Sequence, residues 1–411
     1  MPRLKSYKNT LAATYLGYVT QAVVNNFLPL LVVYFTKNYN ISMIEITSLL
    51  TINYAFQLVM DFLCDSIANR IGYRNCMLIA NALSVIGLVM FALLPQFMND
   101  TFVALLLSII VYGIGGGFIE VLISPIAEAC PTRNKKAIMG FLHSSYCWGT
   151  VLVILVSTIF FHFLMDKWWI MILCWSVVPL IDGIYFLFVP IYQLQGDKLE
   201  ANQKNVSLEK KHYISLFKDP IFWVILVMIL TGGASELIVS SWASAFVEES
   251  LGLSKTLGDL LGPLIFYTIM GTMRIVYALF SAKVDLRKLV IASAAVCLIS
   301  YLLITLAPNR YVSLFGIGLT GIGVGMLWPG CFSLASEYLP EGGTTLFSFL
   351  ALFGDIGCFA GPEFAGAISA AHGDDLKLGI LASIGFPTAL LIAAILLLIL
   401  SRRRTIKKVE N

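Results

Sequence analysis

The sequence predicts an all-α membrane protein, with twelve transmembrane helices in two pseudo-symmetric six-helix bundles. Three observations carry this. Of 411 residues, 58% are hydrophobic and only 12% charged, where a soluble domain carries about 25% charged residues. The apolar residues fall in runs of about 20 or more, the length that crosses a hydrocarbon core about 30 Å thick. One polar stretch, Gln193–Lys218, divides those runs six and six. A soluble enzyme is excluded by this composition. A nucleic-acid partner is excluded by a net charge of only +3 and by basic residues that are scattered rather than striped.

The first six spans are Thr10–Phe35, Ile44–Ala68, Asn75–Pro95, Thr101–Ala129, Lys136–Phe163 and Trp168–Tyr192. The second six are Asp219–Val247, Thr256–Ala282, Leu286–Ala307, Tyr311–Tyr338, Thr344–Ala371 and Leu376–Leu400. None alternates with period two, so a β-barrel is excluded. The expected organisation is a first bundle over residues 1–192, a linker over 193–218 and a second bundle over 219–411. With an even number of spans both termini share one side. That side collects 21 of the 27 Lys and Arg, the other side has 5, and Arg274 alone lies within a span. The excess makes it cytoplasmic, and the expected location is the cell (inner) membrane, multi-pass. No cleavable leader is read from the first apolar run, which is too long for one. The 8 cysteines form no C-x-x-C pair and read as small packing residues.

The two halves echo each other. Gly113, Gly115 and Gly117 of the fourth span recur 208 residues later as Gly321, Gly323 and Gly325 of the tenth. Gly149 of the fifth span meets Gly357 of the eleventh at the same offset. Parallel six-span repeats of this kind are one architecture of secondary transporters.

The loop Asp65-Ser-Ile-Ala-Asn69-Arg70-Ile-Gly72-Tyr-Arg74 resembles the signature G-x-x-x-D-R-x-G-R-R of the major facilitator superfamily, departing from it at Asp65 and Asn69. A degenerate counterpart, Lys283-Val-Asp285-Leu-Arg287-Lys288, follows span eight. Within that superfamily the chain is most similar to the fucose–proton symporter branch. Gly117-Phe-Ile-Glu120-Val-Leu-Ile-Ser124-Pro125 resembles its fourth-helix G-x-x-E-x-x-x-N-P. Asn25-Asn26 resembles the paired asparagines of its first helix, and Trp328-Pro329-x-x-Phe332 its tenth. The resemblance implies a solute transporter with Glu120 as proton carrier. The aspartate that the branch carries after the paired asparagines is absent here, where Leu28 and Pro29 stand.

Charges at membrane depth cost about 2.5–3.5 kcal/mol each on insertion scales, so they mark function or pairing. Glu120 lies near the centre of span four and is the expected proton-coupling acid. Glu236, central in span seven, is either a second such acid or half of an ion pair. Arg274 needs an acidic partner, and Asp355 and Glu236 are the candidates for a gating pair. Asp61 and Asp65, four residues apart on one face of span two, are expected to latch against Arg70 and Arg74. Asp182 and Glu363 are expected near span ends, solvated by water or head groups.

Gln21, Asn25, Asn26, Asn53, Gln57 and His143 both donate and accept hydrogen bonds, which suits a polyhydroxylated solute. Equally, they can bond helix to helix. Trp148, Trp242 and Trp328 are candidate stacking faces for a sugar ring, or packing groups. No nucleotide-binding loop, catalytic triad or metal-spaced cluster occurs, so no enzyme activity and no cofactor is expected. The expected partners are a small-molecule substrate, protons and the lipid bilayer, with the protein a monomer. The reading is proton-coupled uptake of a sugar or similar small polar solute by alternating access. Its rivals are export of a drug or amphipathic metabolite, uncoupled facilitation and a non-transporting receptor.

Overall fold

The computed structural model describes residues 6–39, 41–194, 216–250, 252, 258, 260–373 and 375–410; most of the expected linker lies outside them. Two compact units emerge. One comprises Met1–Thr132 with Ser145–Leu194, the other Arg133–Ser144 with Gln195–Asn411.

The first unit contains α1 (Tyr7–Asn26), α2 (Val32–Asn38), α3 (Met43–Ile71), α4 (Tyr73–Phe97), α5 (Thr101–Ala129), most of α6 (Lys135–Leu164) and α7 (Trp168–Phe188). The second contains the first ten residues of α6, Lys135–Ser144, and then α8 (Pro220–Ala245), α9 (Ile265–Phe280), α10 (Leu286–Leu306), α11 (Arg310–Gly325), α12 (Leu327–Tyr338), α13 (Gly343–Ala371), α14 (Leu376–Ala382) and α15 (Gly385–Glu410). The expected boundary at residues 193–218 therefore leaves out one feature: the start of span five packs with the second unit.

Polar residues at the span starts fix where the helices begin. Ser42 and Glu45 form a reciprocal capping box on α3, and Asp100, Asp219, Asp285 and Asn309 cap α5, α8, α10 and α11. Gly72, the only residue between α3 and α4, has φ +80°, a conformation that a side chain would strain.

Three spans expected as single helices are broken. Span one stops at Asn26, passes through a 3₁₀ turn at Leu28–Leu31 and resumes as α2; Pro29 cannot donate to the carbonyl four residues back, so the α-helix ends there. Span ten breaks at Met326, three residues before Pro329. Span twelve breaks at Ser383 and Ile384.

Among the described residues nine helical stretches are long and apolar enough to cross a bilayer. One of these, Lys135–Phe188, contains two of the expected spans. α1, which carries the amides of span one, and α3, some of whose side chains lie outside those described, are not among them. They nevertheless pack as integral members of the first unit and complete the twelve-helix plan.

The repeat seen in the sequence is geometric. A side chain on Gly113 or Gly117 would strike α3, at Asn53 and Met60. One on Gly321 or Gly325 would strike the equivalent α9, at Phe266 and Met273. Gly115 lies 2.7 Å, measured from an added Cβ, from the Ala80 carbonyl of α4; Gly323 lies 2.7 Å from the Cys297 nitrogen of α10. Gly149 rests on Val19 and Ala22 of α1, and Gly357 on Leu230 and Ala234 of α8. Every glycine thus faces the same neighbour, span for span, in both units. Such close approach supplies the packing that holds membrane helices together where no hydrophobic drive exists between them.

The first unit is closed at one end by edge-on aromatic rings. Phe27 meets Phe91 at 4.9 Å between centroids, Phe35 meets Trp168 at 5.0 Å, and all four rings are buried.

Replacing Gly357 by leucine should cost about 1–3 kcal/mol through overpacking, because the Leu230 carbonyl occupies the space its Cβ needs. Gly385→Ala, at a site with nothing within 4 Å, should be neutral. Melting of the two variants in detergent, followed by intrinsic fluorescence, checks the contrast.

Candidate functional site

Five of the residues singled out from the sequence come together in the first unit. Gln21 of α1 donates through Nε2 to Gln57 Oε1 of α3 at 2.8 Å and to Glu120 Oε2 of α5 at 2.9 Å. Gln57 Nε2 and Asn53 Nδ2 both donate to Asn25 Oδ1, at 2.8 and 3.2 Å. The i, i+4 spacing of Gln21 with Asn25 and of Asn53 with Gln57 lines the amides up along facing helices. Glycines make room for them. A Cβ on Gly116 would lie 3.1 Å from Gln21 Oε1, and one on Gly113 would lie 3.1 Å from Asn53 Oδ1. The four amide side chains are buried, Gln57 completely, and Glu120 is half-buried at the end of the chain of amides.

This arrangement suits a group that gains and loses a proton. Ionised Glu120 accepts the Gln21 N–H. Protonated Glu120 has an O–H to give, which Gln21 accepts if its amide turns over; Gln57, Asn25 and Asn53 must then turn with it, because Gln21 Nε2 also donates to Gln57 and the line of bonds reverses as a whole.

Asn26 stands apart. It donates to the Ala22 carbonyl at 2.9 Å, to Thr150 Oγ1 at 3.2 Å and to the Tyr146 hydroxyl at 3.4 Å. Tyr146 and Thr150 were not singled out from the sequence, nor were Tyr18 and Ser124, whose hydroxyls meet at 3.0 Å. The available signal was the i, i+4 spacing of Tyr146 and Thr150 around Gly149, the glycine that brings α6 onto α1.

A second cluster lies in the second unit. Glu236 of α8 pairs with Arg274 of α9 at 3.5 Å, their side chains 6% and 2% exposed. Of the two acids expected to answer Arg274, Glu236 takes that position. Asp355 is buried on α13 beside Gly354, against which Trp328 packs.

Arg274 also donates from Nε to the Gly325 carbonyl at 2.9 Å and from Nη1 to the His143 carbonyl at 3.0 Å. The first of these follows from sequence. Pro329 lacks the N–H that would have bonded Gly325 four residues earlier, and the guanidinium fills the vacant acceptor. His143 packs its ring against Phe332 at 5.3 Å and Trp328 at 6.3 Å, and the Trp328 and Phe332 rings stack at 6.1 Å. It is therefore a member of this cluster and not of the amide network. The Trp328 indole lies within hydrogen-bonding reach of Glu236.

Several expectations are corrected. Arg74 does not latch onto Asp61 or Asp65. Its guanidinium donates to the carbonyls of Phe186, Leu187 and Val189 at 2.6–2.9 Å, closing the C-terminus of α7, where cations are favoured. Arg70 is exposed at the end of α3, while Asp61 is fully buried and Asp65 accepts a long 3.5 Å bond from Asn69. Trp242 donates to the Pro362 carbonyl at 3.2 Å and fits over Gly366, tying α8 to α13. Trp148 is 37% exposed on α6. In the counterpart of the signature loop, Asp285 caps α10 and pairs with Arg287 at 2.9 Å; that bond holds its carboxyl below the usual carboxylate range. Glu363 is exposed. Asp182 is not at a solvated span end: it is 0% exposed inside the first unit.

Arg274→Met should destabilise the chain by about 3–5 kcal/mol, because it strands Glu236 and the Gly325 carbonyl. Adding Glu236→Gln should recover most of the loss. Melting temperatures of the single and double variants measure the coupling.

A family model for the Major Facilitator Superfamily matches residues 14–362. The membrane protein MosC of Rhizobium meliloti is 23% identical over 335 residues, which cover 82% of this chain and 77% of that protein. Solved structures share the fold, among them two sugar:proton symporters. The proton:xylose symporter XylE, bound to 6-bromo-6-deoxy-D-glucose, superposes with a TM-score of 0.78 at 17% identity, over 94% of each chain. The fucose:proton symporter FucP of E. coli gives 0.79 at 13% identity, over 94% of this chain and 98% of its own. The family match spans the glycine-rich helices, the amide network and the Arg274 cluster alike, and the chain belongs to the Major Facilitator Superfamily.

Proposed function

We propose that this multi-pass membrane transporter takes up a sugar or a similar small polyhydroxylated solute together with protons, by alternating access. The observation that carries the reading is the line of amides from Asn53 through Asn25, Gln57 and Gln21 to the half-buried carboxyl of Glu120. Amides give and receive hydrogen bonds at once, as sugar hydroxyls do. Buried in hydrocarbon they bond only to one another or to a ligand, because no water is there to replace them.

Glu120 is the proton-coupling acid in this reading, and Gln21 the group that registers its protonation. Glu236 serves as the counter-ion of Arg274, and the pair is a gate. Trp328 and His143 extend the solute-binding surface of the second unit. The sugar:proton symporters that share the fold support the substrate class. The distribution of Lys and Arg supports cytoplasmic termini in the cell membrane.

The test uses xylose and fucose as probes in proteoliposomes. Wild type should accumulate one of them when the outside is acidified. Glu120→Gln, which keeps an acceptor for the Gln21 N–H but cannot ionise, should lose accumulation by at least about tenfold while retaining counterflow exchange. Full accumulation by Glu120→Gln removes Glu120 from the coupling role. Failure of both sugars in wild type, at any pH gradient, removes the substrate class.

A further inference from the structure

The proposed transport scheme has no use for Asp182, yet the surroundings of this residue are unusual. It lies two-thirds of the way along α7 and is 0% exposed. Three helices surround it. α1 presents Gly17, where an added Cβ would stand 3.3 Å from Asp182 Oδ2 and would collide with Ile123 of α5. α4 presents Asn81, admitted by Gly183, whose own Cβ would lie 3.1 Å from that of Asn81.

The Asn81 amide is oriented by its nitrogen. Nδ2 donates to the Met77 carbonyl at 3.0 Å, and turning the amide over would set oxygen against oxygen there. The Asn81 amide is the polar neighbour of Asp182. Neither oxygen of Asp182 nor Oδ1 of Asn81 receives a hydrogen bond from a protein donor. A carboxyl that no donor reaches in a dry interior is favoured in its protonated form.

Nearby titratable and charged groups are engaged elsewhere. The hydroxyl of Tyr18 on α1 meets Ser124, that of Tyr185 on α7 donates to Asn9, and Arg74 of α4 closes the end of α7. Glu128 lies five residues beyond Ile123 on α5. No charged group bears on Asp182 among the described residues. An ionised carboxylate there would cost several kcal/mol with nothing to offset it.

We propose that Asp182 is a second proton-binding site of the first unit, an enclosed carboxylic acid beside Asn81 that exchanges its hydrogen with solvent. Gly17 lies one turn from Gln21 on α1, and Ile123 about one turn from Glu120 on α5. The site is thus one helical step, about 5.4 Å, along the bundle from the Gln21–Glu120 bond. It does not depend on the role proposed for Glu120. α1 sets no side chain against Asp182 at Gly17, so separation of α1 from α7 is the movement that would admit water.

The test is infrared spectroscopy of the full chain in lipid at neutral pH without added solute, with aspartate carrying carbon-13 in its side-chain carboxyl. The carbonyl stretch of a protonated carboxyl should be present and isotope-shifted in wild type and in Glu120→Gln. It should lose intensity in Asp182→Asn, which keeps the size of the side chain and should melt as wild type does. In Asn81→Leu the lost component should move, reporting the changed polar neighbour even if Asp182→Asn does not fold. Transfer to D₂O should shift the band within hours. A spectrum unchanged by Asp182→Asn and by Asn81→Leu overturns the proposal. So does a band that never responds to D₂O, because the hydrogen is then sealed in and only structural.

Discussion

A polar group in the hydrocarbon of a membrane must find its hydrogen bonds within the protein, and the rest of this structure follows from that constraint. Arg274 illustrates it most fully. Its guanidinium uses three different groups: the Glu236 carboxylate, the Gly325 carbonyl and the His143 carbonyl. One of these is available only because Pro329 broke a helical bond. A residue commonly regarded as a helix breaker has therefore supplied an acceptor to a buried cation. The amides of the first unit obey the same constraint differently, each bonding to the next until the line ends at Glu120.

Glycine makes both clusters possible. Amides cannot approach across three helices unless one of the helices is bare, and α5 is bare at Gly113, Gly116 and Gly117. In the second unit Gly354 gives Trp328 its place and Gly325 offers its carbonyl to Arg274. The two units share a glycine scaffold and differ in what they mount on it: amides and a carboxyl in one, an ion pair under stacked aromatics in the other. The repeat keeps the helix contacts, because packing depends on small residues at fixed spacing. The clusters differ, because side chains away from those glycine contacts are free of that restriction.

The contrast between Glu120 and Asp182 shows why a buried carboxyl cannot be judged by its distance from a span end. Glu120 is half-buried and has an amide donor; Asp182 is fully enclosed and neither of its oxygens receives a hydrogen bond. Depth along the helix is visible in a sequence. Which way the side chain points around the helix, and whether the neighbouring group donates or accepts, is not.

Hydropathy, basic-residue asymmetry and the offset of 208 determined the membrane class, the spans and the repeat, because each depends only on residue type and spacing. The i, i+4 amide pairs and Glu120 were legible for the same reason. Tertiary structure decided the partners. It turned Arg74 from the aspartates to the end of α7, placed His143 with Trp328 and joined the start of α6 to the second unit. It also enclosed Asp182. Each of these outcomes rests on a contact between segments tens to hundreds of residues apart, whose geometry is set by how whole helices pack and not by any local pattern along the chain.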